Sequence, residues 1–133
     1  MSEDGLLYLE LEDILVLYAA LFDCMEQEAA DQLRSREGLE VALSRPLMYA
    51  HYQGADLALQ AAVLAHGIAE GQPFVEGNKR TAALACIAFL EGNGYRLTAS
   101  QAEIAAWVLD LSAGETPEKL GDHIRASLVH ATL

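Results

Sequence analysis

Gly71-Gln72-Pro73-Phe74-Val75-Glu76-Gly77-Asn78-Lys79-Arg80-Thr81 is the stretch that decides both the fold and the chemistry of this chain. It is a turn-forming loop that runs straight into an apolar helix, Ala82-Ala83-Leu84-Ala85-Cys86-Ile87-Ala88-Phe89-Leu90. The second half of the loop has the composition of a cradle for phosphate groups. Gly77 carries no Cβ, so a ligand is expected to approach the backbone closely there. Asn78, Lys79 and Arg80 begin a helix whose first amides lack partners and bear a partial positive charge, where an anion docks naturally. Lys79 and Arg80 add two full charges, and Arg grips phosphate with paired hydrogen bonds. Glu76 offers an oxygen ligand to a magnesium ion bridging those phosphates. Gln72 stands where such a site wants an acid–base group. An amide positions a neighbour but takes no proton at pH 7.

Outward from the loop, the pattern is helical. Leu57, Ala61, Leu64, Ala65 and Ile68 form one stripe of a helix over 56–70, with Asp56 as its cap and Gly71 as its end. The helix over 79–91 is apolar all round, which places it in the middle of a bundle, and Gly92-Asn93-Gly94 stops it. Leu11, Ile14, Leu15, Tyr18, Phe22 and Met25 keep helical spacing and predict one helix from about Leu9 to Leu33, after a loose lead-in over 1–7. Residues 36–45 predict a short helix with Leu39 and Leu43 inward. Arg45-Pro46 ends it, because the residue before proline avoids the α region. The following run to Gly54 lacks clean periodicity and reads as a flap, on which Tyr49, His51 and Tyr52 are candidates to line a site. Ser100 with Glu103 makes a capping box for a helix over 101–113, and Thr116-Pro117 starts a last helix over 117–130. No strand pattern of useful length, internal repeat or linker is present. The expected fold is an all-α bundle of about six helices with one flap, a single domain over 1–133.

Composition narrows the function. The net charge is −12, which argues against nucleic acid or an anionic membrane as the main partner. Residues 1–33 carry many acids and no Lys or Arg, the pattern of a solvated acidic face or of a dock for a basic partner. Against that background, Lys79 and Arg80 are two of only 8 basic residues. The mean hydropathy of +0.17 fits helices buried on much of their surface. The apolar run from Ala82 to Leu90 is far short of a membrane span. No basic start precedes an apolar stretch, so a cytoplasmic protein is expected. Cys24 and Cys86 stand far apart inside apolar helical patterns, as small buried hydrophobes do.

The loop is not a Walker A element: Asn78 separates Gly77 from Lys79, and no strand precedes it. It closely resembles the signature of the Fic/Doc family, His-Pro-Phe-x-(Asp/Glu)-Gly-Asn-x-Arg. Every fixed position matches except the first, where Gln72 replaces His. Lys79 before Arg80, then Thr81-Ala82, resembles the Doc (death-on-curing) branch. Residues 33–39 and 42–46 resemble the family's second block, and Leu90-Glu91-Gly92-Asn93-Gly94-Tyr95 resembles the end of its central helix, so the resemblance covers nearly the whole chain.

The resemblance implies a Fic-fold bundle and, in many members, the toxin half of a toxin–antitoxin pair. Such toxins pass a phosphate or nucleotidyl group from ATP to a hydroxyl of a target protein, for instance the translation factor elongation factor Tu. Carried over by position, Glu76 would hold magnesium, and Gly77, Asn78 and Lys79 would form the anion cradle. Arg80 would clamp phosphate, Phe74 would anchor the loop, and the flap would help place the target. The family's histidine removes the proton from the attacking hydroxyl. His66 and His51 are weaker candidates for that base, and His123 and His130, on the last helix, are expected to be ordinary surface or core-edge residues. No Ser or Thr has Glu four residues on, so the self-inhibitory helix of some relatives is not matched and an inhibitor is expected to be a second polypeptide. The alternative is a non-catalytic relative that binds nucleotide or an antitoxin-like partner.

Overall fold

The computed structural model describes residues 5–131. Seven helices are found there: α1 (Leu11–Phe22), α2 (Glu26–Asp31), α3 (Arg36–Gln53), α4 (Leu57–Gly71), α5 (Asn78–Gly92), α6 (Gln101–Ser112) and α7 (Pro117–Ser127). Two short strands, β1 (Tyr95–Leu97) and β2 (Leu128–His130), pair antiparallel with Tyr95 opposite His130. The architecture is all-α, as the hydrophobic periodicity requires.

The caps read from the sequence are in place. Asp56 accepts from the Leu59 N–H (3.0 Å). Ser100 and Glu103 bond each other's backbone reciprocally. Thr116 accepts from the Lys119 N–H (3.2 Å), with Pro117 at the first helical position. Each satisfies donors that a helix start leaves orphaned.

Three helix boundaries depart from expectation, each for a physical reason. The first helix is two. Asp23 adopts a left-handed conformation (φ 50°) that ends α1, and α2 starts again after Met25. The flap does not exist. Helix α3 runs through Pro46 to Gln53, and Gly54, at φ 63°, ends it. Leu39, Ala42 and Pro46 are its buried residues, spaced as one helical stripe packed along α4. That burial outweighs the roughly 3 kcal/mol that an interior proline costs. Tyr49 therefore lies half-buried on a helix, while His51 and Tyr52 are exposed and pack edge to face on each other. The last helix stops at Ser127, and its final three residues form β2. Strands of three residues are too short to show a period.

The centre of the bundle is α4, not α5. Alanines at 58, 61, 62, 65 and 69 are all buried, and α3, α5, α6 and α7 pack around them. Gly67 extends this: a Cβ there would lie 3.0 Å from Ala42 Cβ, so α3 and α4 approach almost backbone to backbone. The one buried polar side chain of α4, Gln60, is satisfied. It accepts from Tyr8 Oη (2.7 Å) and donates to the Ala55 carbonyl (3.0 Å). Helix α5 buries Thr81, Ala82, Ala85, Cys86, Phe89 and Leu90, while Ala83, Leu84 and Ile87 stay half-open to a groove facing α6.

Candidate functional site

The loop joining α4 to α5 is sewn to the connection between α2 and α3. The Pro73 carbonyl accepts from the N–H groups of Arg34 (2.7 Å) and Ser35 (3.0 Å), and the Val75 N–H donates to the Gln32 carbonyl (2.9 Å). Leu33 and Phe74 thus face each other in an isolated antiparallel bridge. Phe74 is fully buried and stacks on Tyr18, centroids 4.2 Å apart and planes 16° apart. Tyr18 Oη donates to the Glu76 carbonyl (3.2 Å). Burial first, then Glu76 and Cys24, push the Tyr18 phenol above its ordinary range, so it stays a donor.

Asn78 closes the loop from the other end. Its Oδ1 accepts from the Phe74 N–H (2.9 Å) and its Nδ2 donates to the Phe74 carbonyl (3.0 Å). These two bonds fix the side chain on the protein's own backbone, with one Nδ2 hydrogen left over. Thr81 Oγ1 donates to the Gly77 carbonyl (2.7 Å) and is buried.

Gly77 caps α5 in the left-handed region, at φ 79°. The expectation that its missing Cβ makes room for a ligand needs correcting. A Cβ there would lie 2.3 Å from Phe22 Cζ, so the space belongs to the protein's own ring. Phe22 also packs against Tyr18 (4.5 Å) and carries the Arg80 guanidinium over its face, 5.3 Å from the centroid. That is cation–π geometry.

Gln72, the position of the odd amide, terminates α4 in a left-handed conformation (φ 48°, ψ 56°). The sequence pointed to Gly71 for that role, but Gly71 is the last helical residue. Non-glycine residues seldom adopt this conformation. Here Arg34 braces it: Nη2 donates to the Gln72 carbonyl (2.7 Å) and to Gln72 Oε1 (3.4 Å).

Two openings flank the head of α5. A cavity of about 260 Å³ is lined by Ala69, Gln72, Gly77, Asn78 and Lys79, with no carboxylate among them. A larger apolar groove of about 460 Å³ lies between α5 and α6, where Lys79 and Arg80 meet Leu21, Leu84, Ile104 and Val108. Lys79 borders both openings, whereas Arg80 borders only the groove. Glu76 is exposed, and among the described residues no group of three or more His, Cys, Asp or Glu side chains gathers to hold a metal. A lone carboxylate fits a magnesium ion that arrives with phosphates, since such ions take one or two carboxylates and complete their shell from substrate and water. It does not make a standing metal site.

The other candidates lie elsewhere. Tyr49, His51 and Tyr52 line neither opening, and neither do His66, His123 and His130. His123 stacks on Trp107 (5.2 Å), and His130 packs tilted against Tyr95 across the strand pair (4.6 Å). Sequence reasoning missed Arg34, Phe22 and Tyr18. The two aromatics sat in the helical stripe of α1 and so read as core. Arg34 touches a residue 38 positions away, which no local pattern reveals.

The Fic/DOC family pattern matches residues 8–90. That span is well over half of the sequence and runs from ahead of α1 almost to the end of α5. The chain belongs to the Fic/DOC family. Within this Fic/DOC chain the matched span holds the loop and every residue that clamps it. Helices α6 and α7 and the strand pair lie beyond it, so the match is shorter than the near-complete resemblance read from the sequence. No match is found among curated proteins. No helix among the described residues is long and apolar enough to cross a membrane.

Proposed function

We propose that this Fic/DOC chain is a Doc-like toxin of a toxin–antitoxin pair, working in the cytoplasm. It takes ATP with Mg²⁺ and passes a phosphate or nucleotidyl group to a hydroxyl of a target protein such as elongation factor Tu. The observation that carries this reading is the carboxylate-free cavity bounded by Gln72, Gly77, Asn78 and Lys79 at the head of α5. In such a transfer the hydroxyl oxygen bonds to phosphorus and the bond to the leaving phosphate oxygen breaks. ADP leaves in phosphate transfer, and pyrophosphate leaves in nucleotidyl transfer. The hydroxyl proton must go to a base.

The roles divide as follows. Main-chain amides of Asn78 and Lys79 and the Lys79 ammonium hold phosphate oxygens, and Arg80 swings from the Phe22 face to clamp a further one. Glu76 is the carboxylate for the magnesium ion, which offsets phosphate charge when bound. Phe74 and the Asn78 side chain hold the loop. Gln72 accepts no proton, and the loss of a positioned base costs about 10²–10⁴-fold in rate. The antitoxin is a separate polypeptide.

The test is Gln72→His. The variant should stop growth when expressed and should label a protein from radioactive ATP, with the parent weak or silent in both. A folded Gln72→His protein that is silent in both assays ends the transferase reading. A second reading, binding without transfer, is favoured by the brace that Arg34 places on Gln72.

A further inference from the structure

We infer that Gln72 is a phosphate-binding residue, presenting its amide N–H₂ to the ligand, and that Arg34 is the positioning residue that fixes this orientation. The inference rests on the nucleotide reading of the site. Its core is a constraint of chemistry. A guanidinium has five donors and no acceptor, so the amide atom that faces it has to be the oxygen. Gln72 Oε1 lies 3.4 Å from Arg34 Nη2, and the same Nη2 donates to the Gln72 carbonyl at 2.7 Å. With its oxygen turned to Arg34, the side chain has only Nε2 left to offer. Gln72 lines the cavity together with Lys79 and the first residues of α5.

Every polar group around that cavity then has donors to give. Lys79 brings an ammonium, and the head of α5 brings unpaired main-chain amides. Asn78 gives one of its two side-chain N–H groups to the Phe74 carbonyl and its oxygen to the Phe74 N–H, so these contacts fix the amide in place with one N–H left over. Gln72 is the side-chain amide of the lining whose nitrogen has no bond to the protein's own backbone. A donor to a charged oxygen is a strong hydrogen bond, and a carboxylate at the same place would repel the anion. Position 72 here is thus suited to holding a polyphosphate rather than to drawing a proton from a hydroxyl.

Calorimetric titration with the magnesium complex of a non-hydrolysable ATP analogue tests this, with thermal melting as the check of folding. Gln72→Met keeps the shape and removes the donor, and binding should weaken about 10-fold or more. Gln72→Glu should weaken it further, because the carboxylate both lacks a donor and adds charge. Arg34→Met frees the amide to turn and should cost about 3-fold, and Arg34→Lys should recover part of the loss. The decisive comparison is Arg34→Met made in the Gln72→Met background. If Arg34 acts through the Gln72 side chain, it has no further effect on affinity there. If Arg34 merely caps the end of α4 through the Gln72 carbonyl, its loss costs as much in that background as in the parent, and the inference is overturned. Equal affinity of parent and Gln72→Met within about 2-fold overturns it as well, while leaving the nucleotide site itself standing. A folded parent that fails to bind the analogue at all removes both.

Discussion

Replacing Gly77 with alanine sets two explanations of that glycine against each other. In one, the missing side chain gives a ligand access to the backbone. In the other, the protein itself needs the space and the conformation. The geometry supports the second. At φ 79° an alanine bears left-handed strain of about 1 kcal/mol. Its Cβ would fall 2.3 Å from Phe22 Cζ, and the ring must leave. Leaving ends the packing on Tyr18, at 4.5 Å, worth about 1 kcal/mol. It also ends the contact with Arg80, at 5.3 Å, worth about 0.5 kcal/mol at an exposed site. The expected loss is about 2–3 kcal/mol, which for a domain of this size lowers the melting temperature by about 10 °C. Thermal unfolding followed by circular dichroism measures it. The strain and the overlap separate in a cycle with Phe22→Ala: the second alanine should cost about 1–2 kcal/mol less in that background, because no ring remains to be displaced. If Gly77→Ala melts within about 2 °C of the parent while nucleotide binding falls, the glycine serves the ligand and the reasoning here is wrong.

Other outcomes follow from the same contacts. Asn78→Ala leaves the Phe74 N–H and carbonyl without their partners, and at about 1–2 kcal/mol for each part-buried group the urea midpoint should fall clearly. Asn78→Asp should not rescue it, because its carboxylate would face the Phe74 carbonyl. An unchanged midpoint in Asn78→Ala contradicts the clamp. Arg125 grips Asp56 with two hydrogen bonds, of 2.7 and 2.9 Å, and holds that carboxyl below its usual range. Both side chains are about half exposed, so the pair contributes less than about 1 kcal/mol. A lowered carboxyl stabilises above its unfolded value of about 3.9 and loses that contribution as pH falls below it. The stability gap between parent and Arg125→Met should therefore be present at pH 7 and shrink as pH falls below about 3.9, and a gap that stays constant in urea titrations on both sides of that pH refutes it. In the Gln72→His background, the Arg34 guanidinium should hold an imidazole below its ordinary range. Arg34→Met should then move the acid limb of the transfer rate to higher pH, and an unmoved limb denies that the two side chains interact.

What the sequence disclosed and what it hid follow from range. Caps at Asp56, Ser100 and Thr116 are contacts over three residues, and the sequence shows both partners at once. The stripes of α1 and α4 are equally local. The path of α3 was legible in principle, since Leu39, Ala42 and Pro46 keep helical spacing. The rule for residues before proline weighed more in the reading than it does in a packed helix. The clamp on the loop was not legible. Gln32, Arg34 and Ser35 meet residues 73–75 across a gap of some 40 positions, and backbone bonds of that kind leave no mark on side-chain pattern. The identity of the hub was hidden for a related reason: which neighbours surround a helix is a long-range property, and the small side chains of α4 are what let four helices pack around it.

A family signature also overstates how many of its residues are free to act. Of the loop's matching positions, Pro73 is tied by its carbonyl to the α2–α3 connection, Phe74 is buried on Tyr18, Gly77 yields its space to Phe22, and Asn78 is fixed on Phe74 through its side-chain amide. Five side chains are left facing outward: Gln72, Val75, Glu76, Lys79 and Arg80. Two are cations and one is a lone carboxylate, a set suited to phosphate and magnesium. On the proposed reading the capacity for proton transfer depends on what stands at position 72, because Glu76 is given to the magnesium ion and the rest of the loop is structural or cationic. One substitution there changes the chemistry without touching the scaffold, since Arg34 holds the position through its main-chain carbonyl whatever side chain it carries.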